Sequence, residues 1–213
     1  MPCVIRNLHM KLIAISWPTF FDGEAEIINS LFEAGLPVLH VRKPNAAESE
    51  VASLIRRVRP EFHERLTMHY YPALAEAFEL GGYHLSAGRA PQPDGWEGRL
   101  SASCHTLEEA REAQRHTDYV FLSPIFDSIS KRGYTASFST DELMRGAAEG
   151  IIGRRVIALG GVRPENMGAA RDMGFGGVAV LGGLWGTLRR DDVTENYWHY
   201  LNWERCGSMA EAF

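Results

Sequence analysis

The chain alternates short apolar runs with segments whose apolar residues recur at helical spacing. Runs rich in Val, Ile and Leu, such as residues 156–159 and 177–181, are typical of strands buried on both faces of a parallel sheet. Between the runs, pairs such as Ile27 and Leu31 place apolar side chains on one face of a helix. The pattern predicts eight strands, at residues 11–16, 37–42, 65–69, 83–86, 100–103, 119–122, 156–159 and 177–181.

Eight strands, each followed by a helix or a long loop, predict an α/β fold, a single (β/α)8 barrel. The competing fold is an open doubly wound sheet, which usually has a glycine-rich turn after its first strand. Residues 16–19, Ser-Trp-Pro-Thr, contain no such turn. We interpret residues 1–10 as a poorly ordered N-terminal extension, with Met10 as the natural start, and residues 11–213 as one barrel domain.

Composition narrows the class of protein. A length of 213 residues with 45% hydrophobic residues permits one domain with a sizeable core. The formal net charge of −5 argues against nucleic acid and membrane partners. Cys3, Cys104 and Cys206 are far apart and form no CxxC pair, so the sequence supports neither a disulfide framework nor a zinc knuckle. We therefore expect a cytoplasmic protein.

The last two predicted strands both end on a glycine pair. Gly160 and Gly161 follow the seventh strand, and Leu181, Gly182 and Gly183 complete the eighth. A glycine lets a ligand approach the bare main chain, and the loops after the last two strands of such barrels often bind phosphate. These five residues are the predicted phosphate-binding site.

Histidines lie at the predicted ends of strands two to five, namely His40, His69, His84 and His105. In such a barrel the catalytic groups cluster at the C-terminal ends of the strands, so these side chains suggest proton transfer near neutral pH. The alternative is that some of them point into the barrel as hydrogen-bonded core residues. No carboxylate accompanies them at these ends and no HxH or HExxH spacing occurs, so we predict no metal site.

Two cations are placed to hold an anion. Arg42 follows the second strand, and Lys131 lies on a long sixth loop beside the hydroxyls of Ser128 and Ser130. Such a loop above a glycine-lined site suits a phosphorylated ligand. The alternative for Lys131 is an ordinary solvated surface lysine.

Several motifs together resemble one family. They are Gly82–Leu85, Ser103–Thr106, Asp118–Phe126, Ser128–Lys131 and the two glycine-ended strands. In this order they resemble the thiamine phosphate synthase and thiazole tautomerase family, whose members are (β/α)8 barrels. The resemblance implies a synthase that joins hydroxymethylpyrimidine diphosphate to hydroxyethylthiazole phosphate and releases pyrophosphate.

The resemblance also implies roles for matching residues. Arg42 matches an arginine that contacts the diphosphate, and Ser103 matches a serine near the pyrimidine. Ser128, Ser130 and Lys131 match a loop that covers the phosphates. Gly160, Gly161, Leu181 and Gly182 match the main-chain site for the thiazole phosphate. We add His105 to the substrate-binding residues and take as the candidate catalytic set His40, Arg42, His69 and Lys131.

The chain departs from the family pattern where the synthases hold magnesium. His69-Tyr70 replaces an Asn-Asp pair after the third strand, and Arg89 replaces a second aspartate. A phenol and a guanidinium are poor substitutes for the carboxylate oxygens that Mg²⁺ prefers. His40 stands where synthases have glutamine, and Pro124 stands where tautomerases have a histidine.

The leading interpretation is a diverged thiamine phosphate synthase-like transferase, with Mg²⁺ as cofactor only if synthase activity is retained. A metal-free thiazole tautomerase-like enzyme and a non-catalytic thiazole phosphate carrier are the alternatives. A barrel acting on an unrelated sugar or nucleotide precursor fits the sixth-strand motif less well. The expected partners are small molecules, the thiazole phosphate and the pyrimidine diphosphate, and the sequence leaves the oligomeric state open.

Overall fold

Eight parallel strands close into a barrel in the computed structural model, which describes residues 10–86, 92, 94–127 and 137–207, with side chains to residue 202. The strand order follows the chain, and the last strand pairs with the first. The strands are β1 (Lys11–Ile15), β2 (Val38–Val41), β3 (Leu66–His69), β4 (Gly82–Leu85), β5 (Arg99–Cys104), β6 (Tyr119–Leu122), β7 (Val156–Leu159) and β8 (Gly177–Val180).

Helices follow the strands around the outside of the barrel. Thr106 and Ser139 begin two of them, because each hydroxyl accepts a hydrogen bond from the main-chain N–H three residues later. Short 3₁₀ turns precede β3 and one helix, at Pro60–Arg65 and Pro164–Asn166. The helices are α1 (Glu24–Glu33), α2 (Glu48–Arg57), α3 (Pro72–Ala77), α4 (Leu107–Ala113), α5 (Thr140–Ala148), α6 (Met167–Asp172), α7 (Gly182–Trp185) and α8 (Arg190–Gly207).

The closed order of strands confirms the predicted (β/α)8 barrel and rules out the open sheet. Each predicted strand is present, and its ends lie within one or two residues of the predicted ones. Within the described part of the chain, every helix is too short or too polar to span a bilayer. Of the proposed extension, residues 1–10, only Met10 is among the described residues, and it is buried in the core instead of poorly ordered.

Two layers of buried side chains hold the barrel. The outer layer lies between strands and helices, where residues such as Ile28, Leu39 and Ile55 are completely buried. The inner layer lies inside the barrel and contains Ile13, Ile15, Tyr119, Phe121, Ile157 and Ala179. Because successive residues of a strand face opposite sides, each strand contributes to both layers.

Close main-chain contact at the β1–β8 pair completes the closure. Gly177 pairs with Lys11, and a Cβ atom at position 177 would lie 2.8 Å from Lys11 Cβ and 2.9 Å from Ile157 Cδ1. Such distances are shorter than packed carbon atoms allow. A residue without a side chain is therefore required where the barrel closes.

We expect Gly177→Ala to lower the free energy of unfolding by about 1–3 kcal/mol, because the added methyl group overpacks the β1–β8 contact. Urea unfolding followed by circular dichroism measures the change. Gly153→Ala is the matched control, since a Cβ at position 153 meets nothing within 4 Å. Equal stability of the two variants would contradict this account of the closure.

Candidate active site

The interior of the barrel has an apolar side and a polar side. Side chains from β1, β7 and β8 form the apolar side, with Ile13, Ile157 and Ala179 among them. The polar side comes from β2 to β5, and its buried members are His40, Thr67, His69, His84 and Ser101. The phenyl ring of Phe121 on β6 lies between the two sides, 4.8 Å from the ring of His40. The polar side lies directly below the C-terminal mouth, where candidate groups were predicted.

His40 is the centre of a buried hydrogen-bonded chain. Its Nδ1 lies 2.9 Å from His69 Nε2, and its Nε2 lies 2.6 Å from the Tyr119 hydroxyl. The His40 side chain is completely buried, whereas His69 retains 4% exposure. His69 is the last residue of β3 and Tyr119 the first of β6, so His69 is the member of this chain nearest the C-terminal mouth.

His84 is held by two serine hydroxyls. Its Nδ1 lies 2.8 Å from Ser101 Oγ, and its Nε2 lies 2.9 Å from Ser103 Oγ. Its ring stacks on that of His69 with 4.1 Å between the centroids. Ser101 is buried, but Ser103 is exposed at the mouth. The hydrogen bond to His84 therefore orients the hydroxyl of Ser103, the predicted substrate-binding residue.

Burial keeps the three imidazoles neutral. It lowers the pKa of His40 and His69 well below the ordinary 6.5, and neighbouring positive charge adds to the effect. Burial likewise lowers the pKa of His84 to about 3, with a further contribution from the charge of Arg42. The pKa of the Tyr119 hydroxyl is raised by burial, so the phenol keeps its proton. The cluster thus offers lone pairs and N–H groups rather than charge.

Arg42 is the cation of the described mouth that acts on this cluster. Its main-chain N–H donates to Ser16 Oγ at 2.9 Å, and the same hydroxyl donates to its carbonyl oxygen at 3.2 Å. These bonds join the end of β2 to the end of β1. The partly exposed guanidinium lowers the pKa of both His69 and His84, which places its charge near the polar side of the barrel.

Lys43 is buried and does not face the open mouth. Its Nζ donates to both carboxylate oxygens of Glu24, at 2.6 and 2.7 Å, and to the carbonyl oxygens of Trp17 and Thr19. Its charge also lies 4.6 Å from the ring centroid of Phe20. Burial raises the pKa of Glu24 to about 7 and lowers that of Lys43. Because Lys43 also binds carbonyl oxygens of the β1–α1 loop, the pair holds that loop in place and does not face the mouth.

The two glycine pairs meet at one part of the mouth, because β7 and β8 are neighbours. Gly160 and Gly161 have φ angles of 95° and 64°, in the left-handed region that side chains disfavour. Gly182 and Gly183 are exposed directly after β8, and Leu181 is half-buried between strand and helix. Gly160, Gly161 and Leu181 are partly exposed, so the five predicted phosphate-binding residues form a strip of partly or fully exposed main chain, which we call the glycine strip.

Space as well as backbone angle requires the second of these glycines. A Cβ atom at Gly161 would lie 2.5 Å from the carbonyl oxygen of Asp127 and 2.6 Å from that of Phe126. The loop after β6 thus packs directly against the β7 end. Any side chain at position 161 would displace that loop or the strip beside it.

The residues at the ends of β3 and β4 do not suit a hard cation. Tyr70 follows β3 with a φ of 75°, a conformation that is uncommon for a residue with a side chain, and Ser86 follows β4. Mg²⁺ prefers carboxylate oxygens, and none is present at these two ends among the described residues. Arg89, which stands in place of the second family aspartate, lies outside the described residues.

Other predicted site residues have different positions. His105 is exposed after β5, and its Nδ1 lies 3.0 Å from the carbonyl oxygen of Ser123, so it does not join the buried cluster. Ser128, Ser130 and Lys131 lie outside the described residues. Their proposed role over the phosphates stays a prediction.

Sequence reasoning missed three polar residues of the barrel interior, Tyr119, Ser101 and Thr67, and one residue beside the site, Glu24. Tyr119 begins an apolar strand and resembles an ordinary core residue, and Ser101 has no distinguishing neighbour in the sequence. The sequence feature that could have identified Tyr119 and Ser101 is the alternation of inward and outward residues along β5 and β6, which places both in the barrel interior. Glu24 was missed because its pairing with Lys43 depends on the path of the β1–α1 loop.

Comparisons with known proteins indicate one family and the same fold. A family model described as thiamine monophosphate synthase matches residues 12–184. The thiamine-phosphate synthase of Syntrophomonas wolfei is 26% identical over 191 residues, which cover 84% of this chain and 90% of that protein. The crystal structure of thiamine phosphate pyrophosphorylase from Bacteroides thetaiotaomicron is 36% identical, with a TM-score of 0.82, and the match covers 91% of this chain and 97% of that one.

We expect stability to fall in mild acid, because unfolding exposes the three buried histidines to protons. In the unfolded chain these histidines bind protons near pH 6.5, whereas folded His40, His69 and His84 stay neutral. Below pH 6.5, each histidine therefore lowers the free energy of unfolding by about 1.4 kcal/mol for every pH unit. Glu24 opposes this loss, since its pKa falls from about 7 to 4.5 on unfolding. The net slope between about pH 6 and 5 is therefore that of about two histidines.

Urea unfolding at a series of pH values measures this slope. His84→Gln should remove one histidine's share of the slope, whatever its effect on stability at neutral pH. His116→Gln, which changes an exposed histidine, is the matched control and should leave the slope unaltered. A free energy of unfolding that is constant from about pH 7 to 5 would contradict the neutral state of the cluster.

The Lys43–Glu24 pair gives a second stability test. Lys43→Met leaves the Glu24 carboxyl group buried without its cation, so we expect a loss of about 3–5 kcal/mol in the free energy of unfolding. The double variant with Glu24→Leu removes the orphaned group and should recover most of that loss. Arg57→Met, which breaks an exposed pair with Glu26, should change stability by less than about 1 kcal/mol. No recovery in the double variant would show that packing, not charge, explains the loss.

Proposed function

Because the chain belongs to the thiamine monophosphate synthase family, we propose that it is a diverged synthase-like transferase that binds hydroxyethylthiazole phosphate or thiamine phosphate. The observation that carries this proposal is the strip of exposed main chain formed by the glycine pairs after β7 and β8. Main-chain N–H groups in such a strip donate to phosphate oxygens, and bare glycines let the ligand approach them closely. The small-molecule partners follow from the same assignment.

The proposed coupling reaction requires a diphosphate to leave as an anion. Arg42 supports this step, because its partly exposed charge lies at the polar side of the mouth. A guanidinium can donate two parallel hydrogen bonds to phosphate oxygens and needs no metal to do so. The poor fit of Tyr70 and Ser86 to Mg²⁺ is why we describe the transferase as diverged.

Ser103 supports binding of the second substrate. Its hydroxyl is exposed at the mouth while its hydrogen bond to His84 Nε2 fixes it from below. A hydroxyl held in one orientation can discriminate between donor and acceptor positions on a heteroaromatic ring. We therefore assign Ser103 to the substrate-binding side of the site.

A second candidate function is a metal-free tautomerase acting on the thiazole carboxylate phosphate. The observation in its favour is the His40–His69 contact, in which a neutral imidazole near the mouth has a second imidazole and a phenol behind it. Such a chain can accept and return a proton, as a tautomerisation requires. A non-catalytic carrier would need only the glycine strip, to bind the phosphate of its ligand.

Turnover assays on the purified protein test these alternatives. We expect thiamine phosphate to form from hydroxymethylpyrimidine diphosphate and hydroxyethylthiazole phosphate, measured by chromatography with and without Mg²⁺. Conversion of the thiazole carboxylate tautomer, without coupling, would overturn the transferase in favour of the tautomerase. Tight binding of the thiazole phosphate with neither reaction would leave the carrier.

Phosphate binding by the glycine strip has a separate test. The thiazole alcohol without phosphate should bind about 100-fold more weakly than its phosphate, since two charge-assisted hydrogen bonds contribute roughly 3 kcal/mol. Gly161→Ala should weaken binding of the phosphate but not of the alcohol, and Gly153→Ala should alter neither. Equal affinity for the alcohol and the phosphate would remove the basis of the proposal.

A further inference from the structure

We propose that His40, His69 and His84 form a binding site for one late first-row divalent metal ion, of which Zn²⁺ is the expected occupant. The three histidines come from the adjacent strands β2, β3 and β4 and face the barrel interior. One ring nitrogen from each lies within 4.8 Å of those from the others. The site does not depend on which thiamine-pathway reaction the protein catalyses.

The distance between the first two ligands fits coordination. His40 Nδ1 and His69 Nε2 are 2.9 Å apart. Two imidazole nitrogens that bind one zinc ion at about 2.0–2.1 Å lie roughly 2.9–3.3 Å apart, for angles between 90° and tetrahedral. The two nitrogens are therefore already spaced as two ligands of one ion, although each ring must rotate to direct its lone pair at the ion instead of at the other nitrogen. The proton that they share then moves to the second ring nitrogen of the histidine that carries it.

Strand register supplies the third ligand. His69 and His84 are paired residues of β3 and β4, so their side chains project side by side into the barrel. The His84 ring now stacks on His69 and contacts two serine hydroxyls, and it must turn to direct a nitrogen at the ion. Release of Ser103 permits this turn, since that hydroxyl is exposed and water can satisfy it.

The donor set selects the class of metal. Three neutral imidazoles suit Zn²⁺, Co²⁺, Ni²⁺ and Cu²⁺, whereas Mg²⁺ and Ca²⁺ require oxygen ligands. Three protein ligands leave a fourth position open, as in catalytic zinc sites. That position faces the mouth, on the side where His69 retains its exposure and where Ser103 lies.

The second ring nitrogens of two of the ligands also have hydrogen-bond partners. Metal-bound histidines usually have their second ring nitrogen hydrogen-bonded, which fixes the ring. The Tyr119 hydroxyl does this for His40 at 2.6 Å, and Ser101 can do it for His84 at 2.8 Å. A metal-bound His69 has no lone pair for proton transfer, so metal occupancy and use of His69 as a base exclude each other.

The test uses the full chain without a polyhistidine tag, freed of metal with a chelator. Calorimetric titration with Zn²⁺ should show one equivalent bound, and Co²⁺ should produce visible absorption bands of a nitrogen-ligated ion. X-ray absorption at the zinc edge of the wild-type protein should report three imidazole ligands. This spectrum needs no variant, so the result stands even where a substitution impairs folding.

Variants locate the site. His69→Gln and His84→Gln should each abolish stoichiometric binding, and Tyr119→Phe should weaken it by about 10- to 100-fold through loss of the bond behind His40. His199→Gln is the matched control, because His199 lies on the surface beside Glu195, where an ion would bind only adventitiously.

Three results would overturn the proposal. They are no heat and no cobalt bands, binding that survives His69→Gln, and binding lost in His199→Gln. In each case the cluster is a hydrogen-bonded network only. Because no substrate is present in these titrations, such a failure is distinct from a failure of phosphate binding or turnover.

Discussion

The closed barrel directs every second residue of eight strands into one space without solvent, and the rest of the site depends on how that space is filled. The apolar side chains of β1, β7 and β8 fill their part by ordinary packing. On β2 to β5 the buried inward residues are polar, and a buried polar group is costly unless it is hydrogen-bonded. His40 contacts His69 and Tyr119, and His84 contacts Ser101 and Ser103, whereas Thr67 Oγ1 has no hydrogen-bond partner among the described residues. Closure thus forms two hydrogen-bonded groups, which meet where the rings of His69 and His84 stack.

Burial inside the barrel also separates the neutral groups of the site from those that carry charge or lie at the surface. Desolvation keeps the histidines neutral, so the network cannot attract an anion by charge. Under the proposed function, the anion is bound by Arg42 and by the main chain of the glycine strip, both of which are at least partly exposed to solvent. The neutral nitrogens are left for the roles that need lone pairs, namely proton transfer or metal coordination.

The sequence predicted the barrel and the position of the glycine pairs after β7 and β8 because both depend on local patterns, and phosphate binding there stays a prediction. Apolar runs mark the strands, and a glycine pair at a strand end marks exposed main chain wherever the fold places it. The convergence of three histidines depends instead on strand register, which pairs His69 with His84 and leaves His105 on the surface. Lys43 was unpredictable for a similar reason, since its contact with Glu24 depends on a loop of no regular pattern.

Strand order sets how the two parts of the mouth work together. In a ring of eight strands, β7 and β8 lie across the barrel from β3 and β4. Under the proposed function, a ligand whose phosphate lies on the glycine strip would extend its other end toward His69, Tyr70 and His84. Substitutions at the ends of β3 and β4 would then alter what that end contacts without disturbing the phosphate. Under the proposed function, one side of the mouth binds the phosphate, and the opposite side presents neutral histidines and a tyrosine in a left-handed conformation.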